Sequence, residues 1–208
     1  MKKYMTLVFD DGPREPLCDI VDLFKKYGFR AGFAVIGESI SDSNEYMLSY
    51  AVDNGFQLVS HSQTHQHLER LSREEIKYEL EAPVKEIKRR IGYDVTMARL
   101  PFISYNDDVL DVARELCLPL LGQGIDGGRD WANDVTAGSV ADAILSSACD
   151  GAVGCLHVKP HTLEALQIAI PKLKDLGCVL LTPAELLKIR GINPAPLGVN
   201  INNVNDFV

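Results

Sequence analysis

Residues 4–13 read YMTLVFDDGP, and this stretch decides how the fold begins. Tyr4 to Phe9 is a short apolar run bounded by turn residues, a pattern typical of a buried strand. Asp10 and Asp11 follow it directly. They cannot both serve a core, because a buried charge is costly unless it is paired or binds a metal. The stretch therefore predicts a buried strand whose C-terminal end carries charges that need a cation or a surface.

Apolar runs of the same kind recur along the chain and alternate with amphipathic segments. The further strands are predicted at Ala31 to Ile36, Phe56 to Ser60, Thr96 to Leu100, Leu118 to Leu121, Gly151 to Leu156 and Cys178 to Leu181. Helices are predicted at Pro16 to Tyr27, Asn44 to Asn54, Ser72 to Ile91, Asp107 to Leu116, Gly138 to Cys149 and Thr162 to Leu176. This order indicates a parallel sheet, either open or closed into a barrel. We predict an α/β fold, an irregular (β/α) barrel of about seven strand-helix units, because polar motifs follow nearly every strand.

Length and composition indicate a single folded domain. The chain has 208 residues, 46% of them hydrophobic, and no uninterrupted apolar run is long enough to span a membrane. Proline, glycine and asparagine accumulate from Gly191 onward. We therefore expect the domain to occupy residues 1–190 and residues 191–208 to form a C-terminal tail or linker.

Charge, cysteines and the N-terminus limit the partners and the location. A net charge of -8 and a pI near 5.1 argue against nucleic acid or an anionic membrane as partner and favour a neutral substrate. The five cysteines show no CxxC spacing and are expected to be free thiols in a reducing compartment. Met1 to Tyr4 leads into the first strand without the features of a secretory signal. We expect a cytoplasmic protein, or an extracellular one if the chain is an excised domain.

A second motif, HSQTH at residues 61–65, contains two histidines four positions apart. On a helix, such histidines lie on one face and can bind one ion. Two imidazoles and one carboxylate form a common open metal site, so His61, His65 and a carboxylate of the first motif are candidate ligands. Each motif alone has a simpler interpretation, a surface helix for the histidines and a turn for the Asp-Asp-Gly-Pro string. His67 is expected to be a surface histidine.

Polar residues follow several predicted strands at their C-terminal ends. In a parallel barrel those ends open onto one face, so residues distant in sequence converge on one pocket. The residues concerned are Asp10 and Asp11 after the first strand, His61 after the third, Arg99 and Pro101 at the end of the fourth, Asp126 and Asp130 after the fifth, and His157 at the end of the sixth.

The ordered motif set resembles that of the polysaccharide deacetylases, the NodB-homology family or carbohydrate esterase family four. The motifs are FDDGP at residues 9–13, HSQTH at 61–65, RLPF at 99–102, Asp130-Trp131 and Leu156-His157. The resemblance implies a distorted (β/α) barrel, with residues 1–190 as the catalytic domain. It also implies a metal-dependent hydrolase that removes acetyl groups from an oligosaccharide or polysaccharide.

Residue by residue, the resemblance assigns a metal site and a base. Asp11, His61 and His65 are expected to bind one divalent ion, zinc by preference, with cobalt, nickel or manganese as alternatives. Asp10 is expected to be the general base that takes a proton from the attacking water. Arg99 is expected to pair with Asp10.

The resemblance also assigns an acid and substrate contacts. His157 is expected to protonate the departing sugar atom, and Asp130 to orient His157. The backbone N–H of Phe102 is expected to hold the oxyanion, and Trp131 offers a flat wall for a sugar face. Cys155 stands where a leucine commonly lines the acetyl pocket, so a larger pocket is expected.

Other departures from the family pattern concern specificity. Ile103 follows Phe102 where glycine is usual, Val158 follows the catalytic-acid position where aspartate is usual, and the spacing before Asp130 differs, which leaves no role assigned to Asp126. Short length favours the compact acetyl-xylan esterase branch, hence O-acetyl groups of xylan or xylo-oligosaccharides. The alternatives are an N-deacetylase of chitin, peptidoglycan or chito-oligosaccharides, and a catalytically inactive carbohydrate-binding domain.

Overall fold

The structure is a computed structural model that describes residues 2–125, 127–192 and 200–201. Within them lie eight strands: β1 (Lys3–Gly12), β2 (Gly32–Val35), β3 (Gln57–Ser60), β4 (Ala98–Arg99), β5 (Leu120–Leu121), β6 (Val153–His157), β7 (Cys178–Leu180) and β8 (Asn200–Ile201). The helices are α1 (Leu17–Tyr27), α2 (Glu45–Asp53), α3 (Arg73–Ile91), α4 (Asp107–Glu115), α5 (Ala137–Ser147), α6 (Pro160–Asp175) and α7 (Pro183–Ile189). Three short 3₁₀ helices lie at Gly37–Ser39, Leu68–Arg70 and Pro101–Ile103.

The strands form one parallel sheet in the order β6-β1-β2-β3-β4-β5-β8. β7 also pairs with β1, next to its first residues, whereas β6 pairs with the later residues of β1 from Thr6 to Asp10. An isolated bridge between Ile125 and Gly154 brings the segment after β5 against β6. The sheet therefore curls into an incomplete barrel surrounded by helices, and the predicted α/β barrel is confirmed.

Helix α1 shows how apolar spacing builds the core. Its buried residues recur at helical spacing, and it ends where Gly28 adopts a left-handed φ of 73°. Phe24 of this helix packs edge-to-face against Phe9 of β1, with ring centroids 5.7 Å apart. Phe9 also lies 5.5 Å from the ring of Phe33 in β2. The strand that carries the Asp-Asp motif is thus anchored by aromatic packing one residue before the motif.

Two elements in the C-terminal region differ from the predicted pattern. Helix α7 was not predicted, because seven residues are too few to show a period, although Thr182 and Glu185 form a capping box at its start. Strand β8 lies inside the predicted tail and pairs with β5, and the Ile201 side chain is fully buried. Strand β8 was not predicted, because two residues in a Pro- and Asn-rich stretch are too few to show an alternating pattern. Residues 193–199 and 202–208 lie outside the described residues, and the domain boundary at residue 190 stays a prediction.

None of the helices described within residues 2–125 and 127–192 is both long and apolar enough to cross a bilayer.

We predict that β8 contributes to stability. Replacing Ile201 by alanine should lower the free energy of unfolding by about 2–4 kcal/mol, because it removes buried methyl groups and leaves a cavity. Urea denaturation followed by circular dichroism measures the change. Ile189→Ala is the matched control, since Ile189 is 50% exposed, and it should change stability by less than about 0.5 kcal/mol. If both variants lowered the free energy of unfolding by the same small amount, β8 would not contribute to stability.

Candidate active site

A cavity of about 440 Å³ opens at the C-terminal ends of the strands. Nine of the ten predicted site residues line it, and Arg99 lies beneath it with its guanidinium on Asp10. The lining residues are Asp10, Asp11, His61, His65, Phe102, Ile103, Gln123, Gly127, Arg129, Asp130, Trp131, Cys155 and His157.

An irregularity at the end of β1 places both adjacent carboxylates in this cavity. Successive residues of a regular strand point to opposite faces. Between Phe9 and Gly12, however, the register of β1 against β2 shifts, and Asp11 adopts a left-handed φ of 65°. A bulge of this kind re-aims a side chain. Asp10 and Asp11 consequently share one pocket, with Asp10 level with His157 of β6 in the sheet.

Asp11, His61 and His65 form a compact group of possible metal ligands. Oδ1 of Asp11 lies 3.6 Å from Nε2 of His61 and 3.4 Å from Nε2 of His65. Their ligand atoms all lie within 4.8 Å of one another. Oδ1 of Asp11 is buried without a hydrogen-bond partner, whereas its Oδ2 accepts a hydrogen bond of 2.9 Å from Arg14. A carboxylate oxygen without a partner beside two imidazoles fits a divalent transition ion.

The two histidines come together without a helix, so the helical arrangement considered for residues 61–65 is wrong. These residues form a loop in which Ser62 and His65 adopt left-handed φ angles of 62° and 57°. The imidazole centroids of His61 and His65 still lie 4.9 Å apart. The four-residue spacing correctly predicted that the two imidazoles are close together. Their proximity comes from a turn, however, and not from a helix.

Hydrogen bonding and burial leave both imidazoles ready to bind a cation. Nδ1 of His61 lies 2.8 Å from the carbonyl oxygen of Arg99, so the proton belongs on Nδ1 and Nε2 is left with its lone pair. Burial lowers the pKa of His65, and the neighbouring His61 imidazole lowers it further, against the opposing effect of Asp11. A neutral imidazole is the form that a metal binds.

Asp10 is held in a buried ion pair. Nε of Arg99 donates to Oδ2 of Asp10 at 3.0 Å, and the thiol of Cys155 donates to the same oxygen at 3.3 Å. Arg99 is fully buried and Asp10 nearly so. Burial raises the pKa of the Cys155 thiol, which keeps it a hydrogen-bond donor rather than a thiolate. Oδ1 of Asp10 is buried and has no hydrogen-bond partner.

His157 is oriented by Asp130. Oδ1 of Asp130 accepts from Nδ1 of His157 at 2.8 Å, and Oδ2 accepts from the backbone N–H of His157 at 2.7 Å and from the Thr162 hydroxyl at 2.9 Å. Burial alone would lower the pKa of His157, but the hydrogen bond and charge of Asp130 outweigh it, and the net pKa is raised. The imidazolium therefore persists to higher pH than in a free histidine.

Aromatic rings stand at the cavity rim. The side chains of Phe102 and Trp131 are 57% and 56% exposed. The ring of His67 stacks on Phe102 with centroids 4.0 Å apart, and its Nδ1 lies 3.0 Å from Glu69. His67 was predicted to be a surface histidine, and it is partly exposed and outside the group of possible metal ligands. The sequence did not predict its stacking on Phe102.

Some residues that shape the site carry no strong sequence signal. Arg14 holds Asp11, and its position three residues after Asp11 is the only hint of that contact. Glu79, on α3, contacts the backbone of the 61–65 loop and sits in an ordinary amphipathic helix pattern. Asp126 lies outside the described residues.

A carboxylate and two imidazoles at the C-terminal ends of parallel strands, beside an arginine-bound aspartate and an aspartate-bound histidine, define a class of metal-dependent hydrolases. A family model described as polysaccharide deacetylase matches residues 1–120. The chain belongs to the polysaccharide deacetylase family, which is typically metal-dependent, and is a carbohydrate deacetylase or esterase of that family.

Three comparisons illustrate the range of the family. A bifunctional xylanase/deacetylase of Pseudobutyrivibrio xylanivorans is 30% identical over 93% of this chain and 32% of that protein. A peptidoglycan-N-acetylglucosamine deacetylase of Listeria monocytogenes is 31% identical over 88% of this chain and 39% of that protein. The chain thus spans about a third of the length of these relatives. The structure of a family 4 acetyl xylan esterase from Clostridium thermocellum, in complex with a cobalt ion, has a TM-score of 0.90 at 28% identity, over 97% of this chain and 99% of that chain.

We predict that Asp130→Asn lowers the pKa of His157. The carboxylate stabilises the imidazolium, so without its charge His157 should lose its proton at lower pH. An NMR titration of the metal-free protein measures the change, with the His157 signal assigned from a His157→Gln spectrum. Asp134→Asn is the control, because Asp134 is an exposed residue that pairs with Arg129 instead. An unchanged His157 titration in Asp130→Asn would contradict the assignment.

Proposed function

We propose that the chain is a metal-dependent deacetylase that hydrolyses O-acetyl groups of xylan or xylo-oligosaccharides. The observation that carries the proposal is the meeting, in one cavity, of the group Asp11, His61 and His65 with Asp10 and His157. Ester hydrolysis needs a polarised carbonyl, a proton acceptor for water and a proton donor for the leaving oxygen. Each of these tasks has a candidate within this cavity.

Asp11, His61 and His65 would hold one divalent ion, with zinc proposed and cobalt, nickel or manganese as alternatives. Such an ion would polarise the acetyl carbonyl and lower the pKa of water at the site. Arg14 contributes by fixing Oδ2 of Asp11, so that Oδ1 stays directed at the two imidazoles.

Asp10 is proposed as the general base. Its Oδ2 is committed to Arg99 and Cys155, whereas Oδ1 is free to accept a proton from a water molecule that attacks the acetyl carbon. As the C–O bond to the nucleophile forms, charge develops on the carbonyl oxygen. The backbone N–H of Phe102, at a left-handed residue on the rim, is proposed to donate to that oxyanion.

His157 is proposed as the general acid. Its Nδ1 is bound to Asp130, so Nε2 is the nitrogen that gives its proton to the leaving sugar oxygen as the acetyl C–O bond breaks. The products are acetate and a free sugar hydroxyl. The raised pKa of His157 favours the protonated form that this step needs.

Several features support xylan as the source of the acetyl group. The exposed rings of Phe102 and Trp131 offer flat faces to a sugar, and a net charge of -8 suits a neutral polymer better than an acidic one. The likeness to an acetyl xylan esterase over nearly the full length of both chains favours the ester. Cys155 leaves more room beside Asp10 than leucine would, in agreement with a tolerant acyl pocket.

N-deacetylation of chitin- or peptidoglycan-type sugars is the second candidate. The observation that favours it is the hydrogen bond between His157 and Asp130. An amine is a poorer leaving group than an alcohol, so it depends more strongly on protonation by a general acid. The relative named as a peptidoglycan-N-acetylglucosamine deacetylase has a similar sequence over 88% of this chain.

We predict metal-dependent acetate release from acetylated xylo-oligosaccharides. The chelated protein should be inactive, and added Zn²⁺ or Co²⁺ should restore turnover, because the carbonyl needs the cation. Chito-oligosaccharides are assayed in parallel. Release from the chitin series in place of the xylan series would move the proposal to the N-deacetylase. Release from neither, with metal bound, would support an inactive carbohydrate-binding domain.

We predict that Asp10→Asn lowers kcat about 10²–10⁴-fold while Zn²⁺ still binds. Asparagine keeps an oxygen for Arg99 but cannot accept a proton. Steady-state acetate release and calorimetric Zn²⁺ titration separate the two effects. Asp142→Asn is the control, since Asp142 is an exposed residue on α5, and its turnover should match the wild type. Wild-type turnover by Asp10→Asn would show that another group is the base.

A further inference from the structure

The loop that carries His65 is held in an unfavourable backbone conformation. Ser62 and His65 are non-glycine residues at positive φ, a strained conformation that persists only when the surroundings enforce it. His61, by contrast, directly follows β3, and its Nδ1 is bound to the Arg99 carbonyl. The position of His65 therefore depends on contacts made by residues 62–64.

Glu79 supplies several of these contacts from helix α3. It is only 4% exposed. Its Oε2 accepts from the backbone N–H groups of Gln63 at 2.9 Å and Thr64 at 2.8 Å, and its Oε1 accepts from the Thr64 hydroxyl at 2.7 Å. Burying a carboxylate is costly unless its oxygens are satisfied. Here both oxygens are satisfied by the loop next to His65.

The opposite side of the same loop is held by the 3₁₀ helix Gly37–Ser39. The N–H of Gly37 donates to the carbonyl of Ser62 at 3.0 Å, and the N–H of Glu38 donates to that of Gln63 at 2.9 Å. The Gln63 side chain also packs over Gly37, where an added Cβ would lie 2.0 Å from its Oε1. The loop backbone is therefore clamped, with its carbonyls bound on one side and its N–H groups on the other.

We infer that Glu79 is a positioning residue for the metal site, acting on His65 through the loop and leaving His61 unaffected. The inference rests on the proposed metal site at Asp11, His61 and His65. Loss of the Glu79 charge would weaken the hydrogen bonds from the N–H groups of residues 63 and 64. The left-handed turn would then relax, and Nε2 of His65 would leave its place 3.4 Å from Oδ1 of Asp11.

The test is metal binding by the full chain, measured apart from turnover. Metal-free protein is titrated with Co²⁺ at one pH, by calorimetry and by the visible absorption of the bound ion. Glu79→Gln should weaken Co²⁺ binding about tenfold and should change the absorption spectrum of the bound ion. Tenfold is the smaller end of the loss of metal affinity expected when a residue that orients a metal ligand is replaced. Glu81→Gln is the matched control on the same helix, because Glu81 pairs with Lys85 at the surface, and it should bind as the wild type does.

A double-mutant cycle separates positioning from general stability. His65→Ala should weaken Co²⁺ binding strongly. If Glu79 acts only through His65, adding Glu79→Gln to His65→Ala should change the affinity by less than about twofold. Additive losses, or wild-type affinity in Glu79→Gln, would overturn the inference. If Glu79→Gln does not fold, Thr64→Val is the alternative variant, because it removes one of the three hydrogen bonds to Glu79. It should weaken Co²⁺ binding roughly threefold. Wild-type Co²⁺ affinity in Thr64→Val would also overturn the inference.

The outcomes also distinguish this inference from the proposed function. If the wild type binds Co²⁺ and His65→Ala weakens it, but Glu79→Gln does not, only the inference is wrong. If neither His65→Ala nor Asp11→Ala affects Co²⁺ binding, the proposed metal site is wrong and the inference with it.

Discussion

A buried ion pair between Arg99 and Asp10 lies at the base of the cavity and connects the proposed base to the proposed metal site. Removing an ion from water costs several kcal/mol even after relaxation, so the guanidinium can stay at the base of the cavity only if its partner is well placed. Nε of Arg99 lies 3.0 Å from Oδ2 of Asp10. The backbone carbonyl of the same residue accepts from Nδ1 of His61. One residue at the end of β4 therefore compensates the proposed base with its side chain and sets the tautomer of a proposed metal ligand with its main chain.

Backbone strain is concentrated around the cavity. Among the described residues, seven non-glycine residues have positive φ, and all but Cys117 line the cavity or belong to the loop between its two histidines. Such conformations persist only when neighbouring contacts enforce them. The loop at residues 62–65 has these contacts from Glu79 and from the 3₁₀ helix Gly37–Ser39, and Asp11 has them from Arg14. The surrounding helices thus stabilise loops that the chain would not adopt in isolation.

The sequence predicted the parallel barrel and nine of the thirteen residues that line the cavity. Strand polarity brings the C-terminal strand ends together, and the family resemblance added Phe102, Trp131 and Cys155. It did not predict the bulge at Asp11 or the left-handed turn at His65, because both depend on tertiary contacts and neither has a periodic pattern. Spacing suggested a helix for residues 61–65, and the structure has a loop instead. Glu79 was missed for the related reason that a buried carboxylate on an amphipathic helix looks like any other surface acid until its partners are known. Strand β8 is too short to carry a signal.

Three carboxylates in one cavity differ in what their oxygens contact, and this difference matches the roles proposed for them. Both oxygens of Asp130 accept hydrogen bonds, from two groups of His157 and from the Thr162 hydroxyl, the arrangement of a carboxylate that orients a histidine. Asp11 has one oxygen tied to an arginine and the other directed at two imidazoles, the arrangement of a ligand. Asp10 has one oxygen tied to Arg99 and a buried second oxygen without any partner. A buried acceptor that remains unsatisfied is unfavourable unless something binds it during function. The proton of an attacking water would satisfy it, which makes Asp10 the carboxylate best suited to act as the base.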